Sequence, residues 1–372
     1  MAEQRLMRDG LGADAVDRMA RTLCKIIDEF PFDRFVKDAL NGLAELELKQ
    51  RVHHLIDVLH KYLPSDFTEA AEVLHCVKEN WDWGNKEDSF SVFAGWPLID
   101  YVSVYGRGHS KISLELLKDL TPLSSAEFAI RPFLMQNAKQ TEKVLLKWCR
   151  DKDEHVRRLV SEGIRPRLPW GIRLQQYCED PLPVLKLLEQ LKSDKSEYVR
   201  RSVANNLNDI SKDHPDLVLK TCQAWLKEGN KDTEWIIRHG TRSLVKAGHQ
   251  EVFQWLGFSV SPKLSLEVFR VGKNQIKMGD KLSLFVKLKS KSKKTQHLAV
   301  DYAIHHMKAN GQLTAKVFKW KVFSLGMDDS IEISKAHLFK AITTRKYYKG
   351  KHRVELLING KSYGIVDFTL SV

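Results

Sequence analysis

Apolar residues change their period once along this chain, near Gly257–Ser261. Up to about Leu256 they recur at helical spacing, as in Leu145, Leu146, Trp148 and Cys149, then Val156, Leu159 and Val160. Breakers divide that stretch at Pro64, Pro122, Gly163–Pro166, Pro181–Pro183, Pro215 and Gly229. Leu182–Leu191 reads as a short amphipathic helix with Pro183 in its first turn. After the change, Leu282, Leu284, Val286 and Leu288 alternate with Ser283, Phe285, Lys287 and Lys289, the period of a strand. Strands are expected at about 264–270, 281–289, 297–307, 312–320, 329–334, 351–358 and 362–371. Asn310-Gly311 and Asn359-Gly360 fall between such runs and signal hairpins.

The helical part repeats itself. Val156-Arg157-Arg158-Leu159-Val160 returns 43 residues on as Val199-Arg200-Arg201-Ser202-Val203, with a weaker third copy at Ile237-Arg238. A period near 40 is that of a HEAT-like α-solenoid, in which stacked helix pairs leave a curved face free. Seven short strands in the remainder suggest an all-β immunoglobulin-like sandwich. It would lack the antibody-type disulfide, because no cysteine follows Cys222. The expected fold is therefore multidomain, α then β: a solenoid over 1–258 and a sandwich over 259–372.

Charge is uneven. From Ser261 onward there are 22 Lys and Arg against 8 Asp and Glu, leaving 38 against 39 in the first 260 residues. Such asymmetry favours a polyanionic partner, with nucleic acid ahead of an anionic membrane surface, although a merely soluble basic domain has the same composition. Lys281, Lys287, Lys289, Lys291, Lys293 and Lys294 crowd one strand and its following turn. No apolar run reaches the roughly 18 residues of a membrane span, and the N-terminus has no signal-peptide core. Five scattered cysteines without a C-x-x-C pair point to a reducing compartment and to neither disulfides nor zinc. Phosphate-loop, dinucleotide, H-E-x-x-H and G-x-S-x-G motifs are absent, so no metal or cofactor is expected.

Three carboxylates occupy comparable places. Glu162 ends the helix that contains Val156–Val160, with Gly163 expected as its left-handed cap. An acid there opposes the helix dipole by about 0.3–1 kcal/mol, and either a functional role or an Arg158–Glu162 ion pair would account for it. Asp209 follows Val199-Arg200-Arg201 much as Glu162 follows Val156-Arg157-Arg158, and Glu127 stands in Ala126-Glu127-Phe128. The loop Arg165-Pro166-Arg167-Leu168-Pro169-Trp170 is stiffened by two prolines, which suits arginines aimed at phosphate and an indole that either stacks or packs. Trp81, Trp83, Trp96, Tyr101 and Tyr105 form an aromatic stretch with polar neighbours.

The runs 157–170 and 203–216, with Trp81-Asp82-Trp83-Gly84 and Gly95-Trp96-Pro97-Leu98, resemble the AlkC branch of the AlkD-like DNA alkylation repair glycosylases. The resemblance implies helical repeats around duplex DNA containing alkylated bases and removal of 3-methyladenine, with 3-methylcytosine as a further candidate. It implies Glu162 as the principal catalytic carboxylate, Glu127 and Asp209 as companions, and Trp170 and Arg165 as positioners of DNA. It also implies a bacterial cytosolic monomer without a membrane, cofactor or obligate protein partner. Arg157, Arg158, Arg165, Arg167, Arg200 and Arg201 are expected to grip phosphates, and the lysine-rich sandwich to add salt-sensitive backbone contact. N-alkylation makes the base a cationic leaving group, so the remaining need is to stabilise charge on the sugar and position water. Two rivals stand: a non-catalytic helical-repeat scaffold for DNA or protein, and an RNA-directed protein.

Overall fold

The computed structural model describes residues 6–85, 87–342 and 345–372. The chain forms two compact units, Met1–Gly240 and Thr241–Val372. Among the described residues, no helix is long and apolar enough to cross a membrane.

The first unit is helical. It begins with α1 (Ala13–Cys24), α2 (Phe32–Leu40), α3 (Leu48–Tyr62), α4 (Phe67–His75), α5 (Val77–Asn80), α6 (Trp96–Tyr105), α7 (Ser110–Leu120) and α8 (Arg131–Gln136). Helical hairpins follow. The first is α9 (Ala138–Trp148) with α10 (Glu154–Gly163). After the short α11 (Gln175–Glu179) comes α12 (Leu182–Leu191) with α13 (Glu197–Ile210), then α14 (Pro215–Leu226) with α15 (Lys231–Gly240). The second helices stack in series, α13 touching both α10 and α15. Buried Val156, Leu159 and Val160 on α10 and Val199, Val203 and Leu207 on α13 supply this core.

The sequence repeat is also a hydrogen-bond repeat. Arg157 Nη1 donates to the carbonyls of Asp151 and Lys152 at 2.9 and 3.2 Å. Arg200 Nη1 donates to those of Asp194 and Lys195 at 2.7 and 3.0 Å. Each arginine then reaches an acid of the next unit. Arg157 pairs with Asp194 through Nε and Nη2 at 2.6 and 3.0 Å, and Arg200 Nη2 with Asp232 at 3.3 Å. Arg157 and Arg200, both expected to grip phosphate, are thus engaged in latching one repeat to the next. A buried guanidinium left without its carboxylate would cost several kcal/mol.

The second unit holds α16 (Arg242–Ala247), α17 (Gln250–Trp255) and the strands β1 (Leu264–Val271), β2 (Gln275–Lys277), β3 (Lys281–Ser290), β4 (Gln296–Met307), β5 (Leu313–Leu325), β6 (Ser330–Leu338), β7 (Gly350–Ile358) and β8 (Lys361–Ser371). The unit boundary falls earlier than the change from helix to strand. The reason lies at Asn359-Gly360, where both residues have positive φ, 47° and 77°, as a two-residue hairpin turn requires. Gly360 meets Phe253 and Gly248 closely, and Gln250 Nε2 donates to the Asn359 carbonyl at 3.1 Å, so the two short helices pack on the sandwich. One sheet has the order β1-β3-β6 and the other β2-β8-β7-β4-β5. The pairings are antiparallel except that of β2 with β8. Leu282, Leu284, Val286 and Leu288 of β3 are buried against Leu298, Tyr302, Val354 and Leu356 of the facing sheet.

Candidate active site

A pocket of about 410 Å³ opens in the helical unit. Its walls combine the aromatic rings of Phe93, Trp96, Phe128, Trp170 and Tyr198 with Glu127, Glu162, Arg158 and Arg165. Three stretches of backbone bring the two glutamates, Arg165 and Trp170 together. Glu127 stands on the turn that leads into α8, where Ile130 N bonds to Ala126 O at 3.1 Å. Glu162 occupies the last turn of α10. Arg165 to Trp170 form the loop after it, closed by Leu174 N to Pro166 O at 3.2 Å.

Gly163 is not the left-handed cap expected. It is the last residue of α10, and a Cβ there would lie 2.6 Å from Ile130 Cγ2. The glycine lets the end of α10 approach the Glu127 turn, which places the two glutamates near one guanidinium. Arg158 pairs with Glu127 Oε2 and lies 3.6 Å from Glu162 Oε1. The bland ion-pair reading of Arg158 and Glu162 is therefore part of the geometry, within a larger network. Arg165 Nη1 donates to Glu162 Oε1 at 2.6 Å, and its Nε to Asp209 Oδ2 at 2.8 Å. Lys212 Nζ completes Asp209 at 2.9 Å. Acids and bases thus alternate from Glu127 through Arg158, Glu162, Arg165 and Asp209 to Lys212.

Glu162 is 5% exposed. Burial pushes its carboxyl upward, but Arg158 and Arg165, with a hydrogen bond from Ser202 Oγ at 2.6 Å, outweigh this and hold it below the usual glutamate range. The same carboxylates hold both arginines above theirs despite burial. Both oxygens of Glu162 are occupied, one by Arg165 and one by Ser202. Glu127 differs: among the described residues its Oε1 accepts no hydrogen bond, while Oε2 takes Arg158. Asp209 is 2% exposed and lies behind Arg165, outside the residues that line the pocket.

The other expected contacts divide clearly. Arg167 is bound to Asp213 through Nε at 2.8 Å and Nη2 at 2.5 Å. Arg201 is exposed and, among the described residues, paired only within its own helix, with Glu197 at 2.6 Å. Trp170 is 59% exposed at the pocket mouth, with φ of +63°. In the sandwich, Lys287 is drawn between Glu267 and Glu332 at 3.8 and 3.1 Å. Lys289, Lys291, Lys293 and Lys294 are exposed on the end of β3 and the turn after it.

Sequence reading passed over Tyr198 and His155. Their rings meet edge-on at 5.5 Å, and Arg158 sits over the Tyr198 ring at 5.1 Å. Tyr198 immediately precedes Val199 in the repeat, the only sequence sign of its place. The first helices brace the aromatic stretch. Arg18 donates to Asp82 O at 2.9 and 2.6 Å and to Ser91 O at 2.9 Å, and it stacks 5.2 Å from the Trp81 ring. Within that stretch Trp81, Trp96 and Tyr101 are buried, and Trp83 is exposed.

Residues 124–244 match the family model described as "DNA alkylation repair enzyme", and residues 265–372 match the C-terminal Ig-like domain of YhaZ. The "Uncharacterized protein YhaZ" of Bacillus subtilis (strain 168) is 37% identical over 341 residues, covering 91% of this chain and 92% of that protein. The solved Pseudomonas fluorescens alkylpurine DNA glycosylase AlkC, bound to DNA containing an abasic site analogue, is 38% identical. That match has a TM-score of 0.89 and covers 99% of this chain and 100% of AlkC. The chain belongs to the family that contains Bacillus subtilis YhaZ and Pseudomonas fluorescens AlkC.

Proposed function

We propose that this protein is a monofunctional DNA glycosylase that hydrolyses the N-glycosidic bond of cationic alkylated bases, 3-methyladenine first among them. The observation that carries this reading is an aromatic pocket with a glutamate whose one oxygen is held by Arg158 while the other is unengaged among the described residues. An alkylated base already carries the positive charge of a good leaving group. The site must then stabilise charge on the sugar and guide a water, which a fixed carboxylate does. We assign that contact to Glu127. Glu162, ionised and saturated with donors, sets the local field and fixes Arg158 and Arg165. Asp209 holds Arg165 from behind. The exposed Trp170 is suited to meet the duplex beside the lesion, whose exposure costs a few kcal/mol of unstacking, less for a damaged base.

Of the expected basic contacts, Arg201 and the lysines at 289, 291, 293 and 294 are exposed and, among the described residues, form no ion pair with a second element, and we assign them to phosphate. The test is direct: incubate the full chain with methylated duplex DNA and identify released bases by mass spectrometry. Free 3-methyladenine supports the enzyme. Intact DNA with tight binding supports a scaffold, and preference for RNA duplex supports the RNA reading.

A further inference from the structure

Two cations from distant parts of the chain hold alternate carbonyls of the loop after α10. Lys49 Nζ donates to Trp170 O at 2.6 Å, and Arg131 Nε donates to Ile172 O at 2.6 Å. Trp170 itself adopts φ of +63°, a left-handed conformation that is strained for a non-glycine residue. Its indole is exposed, so burial of the ring does not repay that strain. Arg131 is fully buried and also bonds to Gly163 O at 2.7 Å, which makes it part of the framework.

Lys49 is different. It is exposed and lies in the first turn of α3, where a cation is disfavoured by the helix dipole. That charge also acts on Asp100, the hydrogen-bond partner of Trp96 in the pocket wall. Trp96 Nε1 donates to Asp100 Oδ2 at 2.7 Å, and Asp100 Oδ1 is buried with no partner among the described residues. Burial pushes the Asp100 carboxyl up to about 7, against the Trp96 hydrogen bond and the charge of Lys49.

We propose that Lys49 is a positioning residue for base release: its ammonium fixes the Trp170 backbone and so holds the indole at the mouth of the pocket that Trp96 walls. This rests on the glycosylase reading above. The lysine works through Trp170 and touches neither base nor sugar.

The experiment uses the full chain with Lys49→Met, which keeps an unbranched side chain one atom shorter and removes the donors, and Lys49→Arg, which keeps the charge. Lys49→Met is expected to lower kcat for 3-methyladenine release roughly ten- to a hundredfold, the scale of a misplaced positioning group. It should speed amide hydrogen exchange across 166–174 and leave the melting temperature unchanged, and Lys49→Arg should restore most of the rate. Wild-type kcat and unchanged exchange in Lys49→Met would overturn the proposal. So would a rate that falls only in step with melting temperature and is not rescued by arginine. If the wild type releases no base, the glycosylase reading fails instead, and the exchange data alone decide whether Lys49 clamps Trp170.

Discussion

The Ser202 hydroxyl on α13 donates to Glu162 Oε2 on α10 at 2.6 Å, across the boundary between two repeats. A serine of the second repeat thus completes the carboxylate of the first. Ser202→Ala would leave a buried oxygen without its donor, at a cost of about 1–3 kcal/mol. Glu162 is held below its unfolded value, so its ionised contribution is present above pH ~4.3 and is lost as pH falls through the folded value. Removing Ser202 raises that folded value. We expect the acid limb of the pH–rate profile of Ser202→Ala to move to higher pH, with Ser202→Thr close to wild type.

Arginines that look alike in sequence should behave oppositely. Arg157 is buried and paired with Asp194, so Arg157→Met should cost the helical unit about 3–5 kcal/mol and leave the salt dependence of DNA binding unchanged. Arg201 is exposed. Arg201→Ala should barely alter stability and should reduce the slope of log K against log salt by about 1. Urea unfolding and binding titrations across salt check both.

The lysines at 289, 291, 293 and 294 contribute no side chain to the sandwich core. Changing all four to alanine should weaken DNA binding at physiological salt and lower the salt slope by about 0.9 for each phosphate that is no longer neutralised. The melting temperature of the second unit should not change. A drop in melting temperature with an unchanged slope would remove them from the interface.

Acid should loosen the sandwich. His306 lies among His337, His352, Phe339 and Tyr347. Its Nε2 faces Arg345 Nη1 at 2.7 Å. Burial, then Arg345 and the neighbouring His352, His337 and Lys308, push its pKa down to about 3. Burial likewise takes His337 to about 4 and lowers His352. The folded state keeps these rings neutral, whereas the unfolded chain protonates them near pH ~6.5. Their contribution is therefore present above pH ~6.5 and lost as pH falls toward the folded values. Hydrogen exchange in β4 and β7 should rise between about pH 7 and 5 beyond its intrinsic pH dependence.

Much of this architecture was legible because hydrophobic period reports burial. The alternation at Leu282–Leu288 and the two Asn-Gly turns placed seven strands closely. β2 escaped because three residues with only Ile276 apolar cannot display a period. The repeated arginines were visible, but their partners were not: Asp194 and Asp232 become partners only when helices stack. A glycine after a helix suggested a left-handed cap at Gly163, yet the deciding contact is with Ile130, far off in sequence. Tyr198 and Ser202 fall in or beside the repeated motif, but their roles could not be read from it, because they arise only when one repeat faces the next.

Single-turnover release of 3-methyladenine by Glu127→Gln tests the central claim most directly, with affinity for duplex DNA containing an abasic analogue measured beside it. Glutamine keeps the size of the side chain and removes the charge that we propose stabilises the sugar. We expect the rate to fall roughly a hundredfold or more, the scale of a lost charge-stabilising group, while affinity for the abasic duplex stays within a few-fold of wild type. Release at the wild-type rate by Glu127→Gln would show that this carboxylate does not stabilise the departing base's sugar.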